Sequence, residues 1–123
     1  MDPQKTLLFV DDEPEILNIL VDLFSEEGYA LQTATGAEQA RDIMNRQPVD
    51  FVLSDLKLPD GSGKEFLKEV RHSHPRIVRV LTSGYLDIRF GRIEEDKTDG
   101  TYYVSKPWDL ACLKQLVTET IGQ

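Results

Sequence analysis

The alternation of short apolar runs with amphipathic stretches predicts an α/β fold, a parallel β-sheet covered by helices on both faces. Three observations support it. There are five such pairs, each an apolar run followed by a segment of helical spacing. The runs are nearly continuous in apolar character, as strands buried on both faces must be. Polar residues stand where four of the five runs end: Asp11 and Asp12, Asp55, Thr82 and Ser83, and Lys106. Open α/β sheets place their functional crevice beyond the carboxyl ends of the strands, so these residues are expected on one rim.

Thr6 to Val10 (TLLFV) reads as the first buried strand and stops at Asp11-Asp12-Glu13. Pro14 suits the first turn of a helix, and Ile16, Leu17, Leu20, Leu23 and Phe24 recur at helical spacing up to Gly28. Tyr29 to Ala34 is the second strand. Thr35 and Glu38 form a capping-box pattern opening a helix that ends before Pro48. Val49 to Leu53 is the third strand, with Asp55 just beyond it, and Leu58-Pro59-Asp60-Gly61 is a loop. Ser62 and Glu65 form a second capping box, followed by a helix through Phe66, Leu67 and Val70. Arg76 to Leu81 is the fourth strand, running into Thr82-Ser83-Gly84. Tyr85 to Asp96 reads as a weak helix containing Gly91, with Thr98-Asp99-Gly100 after it. Thr101 to Ser105 is the fifth strand. Lys106-Pro107 leads into a last helix carrying Leu110, Leu113, Val117 and Ile121 on one stripe.

The chain has 123 residues, a length suited to a single domain over 1–123 with its core at about 5–121. Repeats, low-complexity tracts and linkers are absent from the sequence. No apolar run approaches the ~20 residues that span a bilayer, and the N-terminal LLFV is too short for a secretory signal, so no membrane role and a cytoplasmic location are expected. The single cysteine, Cys112, excludes an internal disulfide and a cysteine-rich metal site and reads as a small half-buried helix residue. A formal net charge of −8 repels nucleic-acid phosphate, so direct nucleic-acid binding by this domain is not expected. His72 and His74 fall near the end of the third helix, where cations complement the helix dipole.

The rim residues form a chemical set. Asp11, Asp12 and Asp55 would crowd like charges unless a cation sits among them, and an all-oxygen ligand set suits Mg²⁺. Lys106 adds a positive charge within reach of a phosphoryl oxygen, and Ser83 adds a hydroxyl. A metal and a lysine neutralising a transferring group, with a carboxylate attacking in line, is the equipment of phosphoryl transfer. Asp55 stands alone and is the better nucleophile; the adjacent Asp11 and Asp12 look like a metal-holding pair. Each residue taken singly has a plainer reading. Asp12, with Glu15 three residues on, fits a helix N-cap, and Asp55 a turn residue before Pro59. Ser83-Gly84 fits a turn, and Lys106 a solvated loop lysine. Trp108 is open to two readings, exposed on an output face or covering the start of the last helix. Taken jointly, the plainer readings require four strand ends to place complementary groups on one rim by accident.

The segments FVDDE, SDLKLPDGSG, VLTSGY and YVSKPWD together resemble the receiver domains of bacterial two-component response regulators, over about Lys5 to Ile121. The resemblance implies a flavodoxin-like fold with strand order 2-1-3-4-5. It implies a signalling switch, catalysing only its own phosphorylation and dephosphorylation, in which Asp55 accepts a phosphoryl group from a sensor histidine kinase or a histidine phosphotransfer protein. Asp12, Asp55 and the backbone carbonyl of Lys57 would bind Mg²⁺ directly, and Asp11 directly or through water. Ser83, followed by the small Gly84, takes the hydroxyl switch position rather than Thr82. Lys106 is the family's lysine, Lys106-Pro107 is expected to be cis, and Tyr103 matches the aromatic that swings inward on activation. Lys57 and Tyr85 should flank the phosphoryl group and tune its lifetime. The family's dimer surface is helix four, strand five and helix five, and a C-terminal output domain or a separate partner protein would read the switch.

Three rival readings fit less well. A flavodoxin-type cofactor binder needs a Gly/Ser/Thr-rich phosphate loop after strand one, where this chain has Asp11-Asp12-Glu13. A Mg²⁺-dependent phosphatase of related fold needs a cap to enclose its substrate. A degenerate receiver used only for docking would lack active-site elements that are all present here.

Overall fold

A computed structural model of the chain describes residues 4–84 and 93–122. The strands are β1 (Thr6–Val10), β2 (Ala30–Ala34), β3 (Phe51–Asp55), β4 (Lys57–Leu58), β5 (Gly61–Ser62), β6 (Val78–Ser83), β7 (Ile93–Asp96) and β8 (Thr101–Ser105). The helices are α1 (Pro14–Phe24), α2 (Ala37–Arg46), α3 (Gly63–Ser73) and α4 (Leu110–Ile121). The main sheet has the order β2-β1-β3-β6-β8-β7, and β4 pairs with β5 in a small separate ribbon. The first five strands of the main sheet are parallel and reproduce the expected 2-1-3-4-5 order; β7 adds an antiparallel sixth at the edge.

Strand alternation sorts the core into two layers. On one face Leu8, Val10, Val52 and Leu81 pack with Ala40 and Ile43 of α2 and Phe66, Leu67 and Val70 of α3. On the other, Leu7, Phe9, Phe51, Leu53, Val80 and Val104 pack with Leu17, Leu20 and Phe24 of α1 and Leu113, Leu116 and Val117 of α4. Phe9 and Phe24 stack with ring centroids 5.7 Å apart. Fully burying one such side chain stabilises by about 1.5–3 kcal/mol, so each layer holds the sheet firmly under the rim.

Three expectations are corrected. The stretch read as a weak fourth helix ends in a strand: Ile93–Asp96 pairs antiparallel with β8, from Ile93 opposite Val104 to Asp96 opposite Thr101. Its remaining residues through 92 lie outside the described ones. The Thr98-Asp99-Gly100 signal is the turn of this hairpin. Asp96 accepts from the Thr98 N–H at 2.9 Å and from the Gly100 N–H at 2.7 Å, and Gly100 sits at φ 79°, where a side chain is unfavourable. Buried Arg79 ties the turn down by donating to the Asp99 carbonyl and the Thr101 hydroxyl. The surface expected from a fourth helix, strand and last helix therefore carries a strand, β7, in its described part.

The third and fourth strands lie two residues further along than the apolar runs suggested. Inter-strand pairing sets their ends: Phe51 pairs with Leu7, and the ladder continues through polar Asp55 and Thr82, which lie opposite each other. The third correction concerns caps. Glu13, not Asp12, is the α1 N-cap, and it makes no side-chain capping bond. Thr35 does not cap α2, whose N-cap is Gly36. The Ser62 cap of α3 forms as expected, accepting from the Lys64 and Glu65 N–H groups.

Candidate functional site at the carboxyl rim of the sheet

The parallel strands deliver the expected residues to one rim. Asp11 follows β1 directly, fastened by its N–H to the Ala34 carbonyl at 3.0 Å, and is fully buried. Its Oδ1 accepts from the Glu13 N–H at 2.9 Å, and its Oδ2 accepts from the Lys106 ammonium at 3.0 Å. Asp55 closes β3. Its Oδ1 accepts from the Leu56 N–H at 2.9 Å, and its Oδ2 lies 3.7 Å from Lys106 Nζ. Asp12 is exposed beside them. One carboxylate oxygen from each of Asp11, Asp12 and Asp55 falls within 4.8 Å of the others.

The electrostatics follow from this crowding. Burial pushes the Asp55 carboxyl above its ordinary value; Lys106 and the Leu56 N–H pull it back, while Asp11 and Asp12 push it further up. Burial and its acidic neighbours prevail, so the Asp55 carboxyl is harder to ionise than an exposed one.

The chain after Asp55 is held closely. The Leu56 N–H also donates to the Thr82 carbonyl at 2.9 Å, and the Gly63 N–H donates to the Leu56 carbonyl at 2.8 Å. A Cβ on Gly63 would lie 1.9 Å from the Asp55 carbonyl oxygen, so only glycine lets α3 start against the end of β3. Lys57 opens β4 opposite Ser62, with its side chain exposed.

On the other side of the rim, Ser83 ends β6, is 2% exposed and pairs with Ser105. Its carbonyl accepts from the Lys106 N–H at 3.1 Å, and the Lys106–Pro107 peptide is cis. Tyr103, opposite Leu81 and half-buried, leans on the α2–α3 layer, the face that Ser83 shares two residues further along β6. Burial, then Asp99 and Asp96, raise its phenol above the usual range. The rim therefore brings together Asp11, Asp12, Asp55 and Lys106, with Ser83 at the neighbouring strand end and Tyr103 lower on the sheet. Tyr85 lies outside the described residues.

Sequence reasoning missed the role of Gly63 and of Asp60. Asp60 Oδ1 and Oδ2 accept from the Ala37 and Glu38 N–H groups, both at 2.9 Å, so the loop after β4 caps α2. The available signal for Gly63 was a poor helix former directly after a Ser cap. For Asp60 there was none, because its partner is 23 residues away. His72 and His74 are exposed, and Cys112 is partly buried on α4.

Comparison with known proteins agrees with this fold. Residues 7–118 match the family model of the response regulator receiver domain. The hydrogenase transcriptional regulatory protein HoxA of Cupriavidus necator is 42% identical over 108 residues, covering 87% of this chain and 22% of that protein. Sporulation initiation phosphotransferase F of Bacillus subtilis is 32% identical, covering 90% of this chain and 89% of its own length. Among solved structures, the signal receiver domain of an HD domain-containing protein from Pseudomonas fluorescens Pf-5 aligns with a TM-score of 0.84 at 27% identity, covering 98% of this chain and 89% of the other. The chain belongs to the response regulator receiver domain family, the phosphoacceptor switches of two-component signalling. It spans about a quarter of the length of several of its curated relatives. No helix among the described residues is long and apolar enough to cross a membrane.

Proposed function

We propose that Asp55 is the phosphoacceptor and that Mg²⁺ is held by Asp11, Asp12, Asp55 and the backbone carbonyl of Lys57. The observation that carries this reading is the cluster of three carboxylates within 4.8 Å, with one ammonium, Lys106, facing two of them. Three acids against one base leave the pocket two negative charges in excess. The hard oxygen donors fit a divalent cation, and the Asp55 carboxyl is raised first by burial and then by the neighbouring Asp11 and Asp12. When bound, Mg²⁺ would neutralise charge on the phosphoryl oxygens.

The chain's own residues supply the rest. A carboxylate oxygen of Asp55 attacks phosphorus as the bond from phosphorus to the donor's imidazole nitrogen breaks, and the imidazole keeps the electron pair. The Leu56 N–H holds the Asp55 carboxylate in orientation. Lys106, 3.7 Å from Asp55 Oδ2, moves from Asp11 toward the new phosphoryl oxygens. The Ser83 hydroxyl then turns toward the phosphoryl group, and Tyr103 follows into the space it leaves. The donor is a sensor histidine kinase or a histidine phosphotransfer protein in the cytoplasm, and an attached or separate output module reads the change.

The test is intact-mass measurement after incubation with acetyl phosphate and Mg²⁺. One added phosphoryl group is expected in the unaltered chain, none in Asp55→Asn, and none when the metal is chelated. Equal labelling of Asp55→Asn would overturn the assignment.

A further inference from the structure

We infer that Trp108 is a positioning residue for phosphoryl transfer, acting as a clasp that joins Lys106 to the backbone behind Asp55. The inference rests on the proposed role of Asp55. Trp108 lies just beyond the cis Lys106–Pro107 bond and is the chain's single tryptophan. Its Nε1–H donates to the Thr82 hydroxyl at 2.7 Å. An indole nitrogen only donates, so the hydroxyl oxygen is the acceptor whatever its own proton does. Thr82 is fully buried, and removing the indole would leave that hydroxyl without this bond in a place water does not reach.

Thr82 is also the residue paired with Asp55 across β3 and β6. Its carbonyl accepts from the Leu56 N–H, the same N–H that orients Asp55 Oδ1. One arm of the clasp therefore runs from the indole through Thr82 to the peptide holding the phosphoacceptor. The other is the ring itself, whose centroid lies 5.8 Å from Lys106 Nζ, within reach of a cation–π contact. Lys106 bonds Asp11 at 3.0 Å and lies 3.7 Å from Asp55. A flat, electron-rich surface beside the ammonium confines it to the gap between the two carboxylates, the position from which it meets the incoming phosphoryl group.

A residue acting through Lys106 is separable from one that merely packs. The rate of phosphorylation by acetyl phosphate at saturating Mg²⁺ should fall about tenfold in Trp108→Leu, or about 1.4 kcal/mol of barrier. It should fall less in Trp108→Phe, which keeps a ring face and loses only the N–H. Placed on Lys106→Met, Trp108→Leu should cause a clearly smaller further loss, that of the Thr82 arm alone, because residues acting as a unit are not additive. A similar loss in both backgrounds, or a change under about twofold in the otherwise unaltered chain, would overturn the proposal. Thermal unfolding of each variant shows that the comparison is between folded proteins. A second readout needs no phosphoryl donor: Thr82→Val should shift the indole N–H proton resonance and speed its exchange with water. An unaltered resonance overturns the clasp. A chain that takes up no phosphate, yet shows the indole shift, overturns the Asp55 assignment instead.

Discussion

Helices α2 and α3 begin with the same sequence signal and solve their first turns differently. Each is preceded by a hydroxyl residue with Glu three positions on, Thr35 with Glu38 and Ser62 with Glu65. Ser62 caps α3 within its own segment, accepting from Lys64 and Glu65. At α2, Thr35 instead engages Gln39: its N–H and its hydroxyl both donate to Gln39 Oε1, at 2.6 and 3.2 Å. The first two N–H groups of that helix, those of Ala37 and Glu38, are taken by the carboxylate of Asp60. An ionised oxygen pair at a helix N-terminus forms stronger bonds than a hydroxyl and gains from the dipole, so a tertiary partner displaces the local one. The consequence is functional. Asp60 sits in the loop following Asp55 and Lys57, and Gly63 begins α3 against Asp55, so both helix starts are anchored to the Asp55 segment.

The largest effect should come from Gly63→Ala. Its Cβ would stand 1.9 Å from the Asp55 carbonyl oxygen, a backbone atom that cannot swing aside. A loss of about 3 kcal/mol in urea unfolding is expected, with reduced phosphorylation because Asp55 must shift. A loss below about 1 kcal/mol would show that α3 can retreat from β3 at little cost.

Next comes Asp60→Ala, which removes two charge-assisted bonds and should lower the unfolding midpoint more than Ser62→Ala. The two can be told apart by pH. Backbone N–H donation from Glu38 and Ala37 lowers the Asp60 carboxyl below its ordinary 3.8. A carboxyl lowered in the folded state stabilises above its unfolded value and loses that contribution as pH falls through the folded one. The gap between the unaltered chain and Asp60→Ala should therefore be full at pH 7 and close only below about pH 4. The Ser62→Ala gap should not depend on the titration of its own cap. A pH-independent Asp60 gap would mean that its charge plays no part.

Ser62→Ala itself should cost about 1 kcal/mol, an ordinary N-cap loss, read as a midpoint shift with unchanged slope. Smallest is Thr35→Ala, expected to change stability by less than about 0.5 kcal/mol because its hydroxyl caps nothing. A loss equal to that of Ser62→Ala would restore Thr35 as a capping residue and remove the contrast between the helices.

The same division between local and distant partners explains how much of the molecule was legible in advance. β1 and β8 match their apolar runs residue for residue, and the Ser62 cap joins neighbours only two and three positions apart. Asp11, Asp12, Asp55, Ser83 and Lys106 were legible as a rim because in a parallel sheet all strand ends of one polarity face one side. The ends of β3 and β6 were misplaced because Asp55, Thr82 and Ser83 are polar yet hydrogen-bonded within the ladder. The edge strand β7 was misread because IEED has no apolar stripe or run, and its state is decided by pairing with β8 and by Arg79 holding the intervening turn.

By itself the sequence determined the parallel α/β architecture, the order of its elements and the identity of the acidic rim with its lysine. These depend on short-range periodicity and on which residue follows each strand. Only the tertiary structure decided that Asp60 caps α2, that Gly63 must lack a side chain, that residues 93–96 form an edge strand and that Trp108 grips Thr82. Those contacts cross from one element to another: 23 residues separate Ala37 from Asp60, and 26 separate Thr82 from Trp108. A local pattern carries no information about such distances, because they are set by how the sheet twists and how the helices pack upon it.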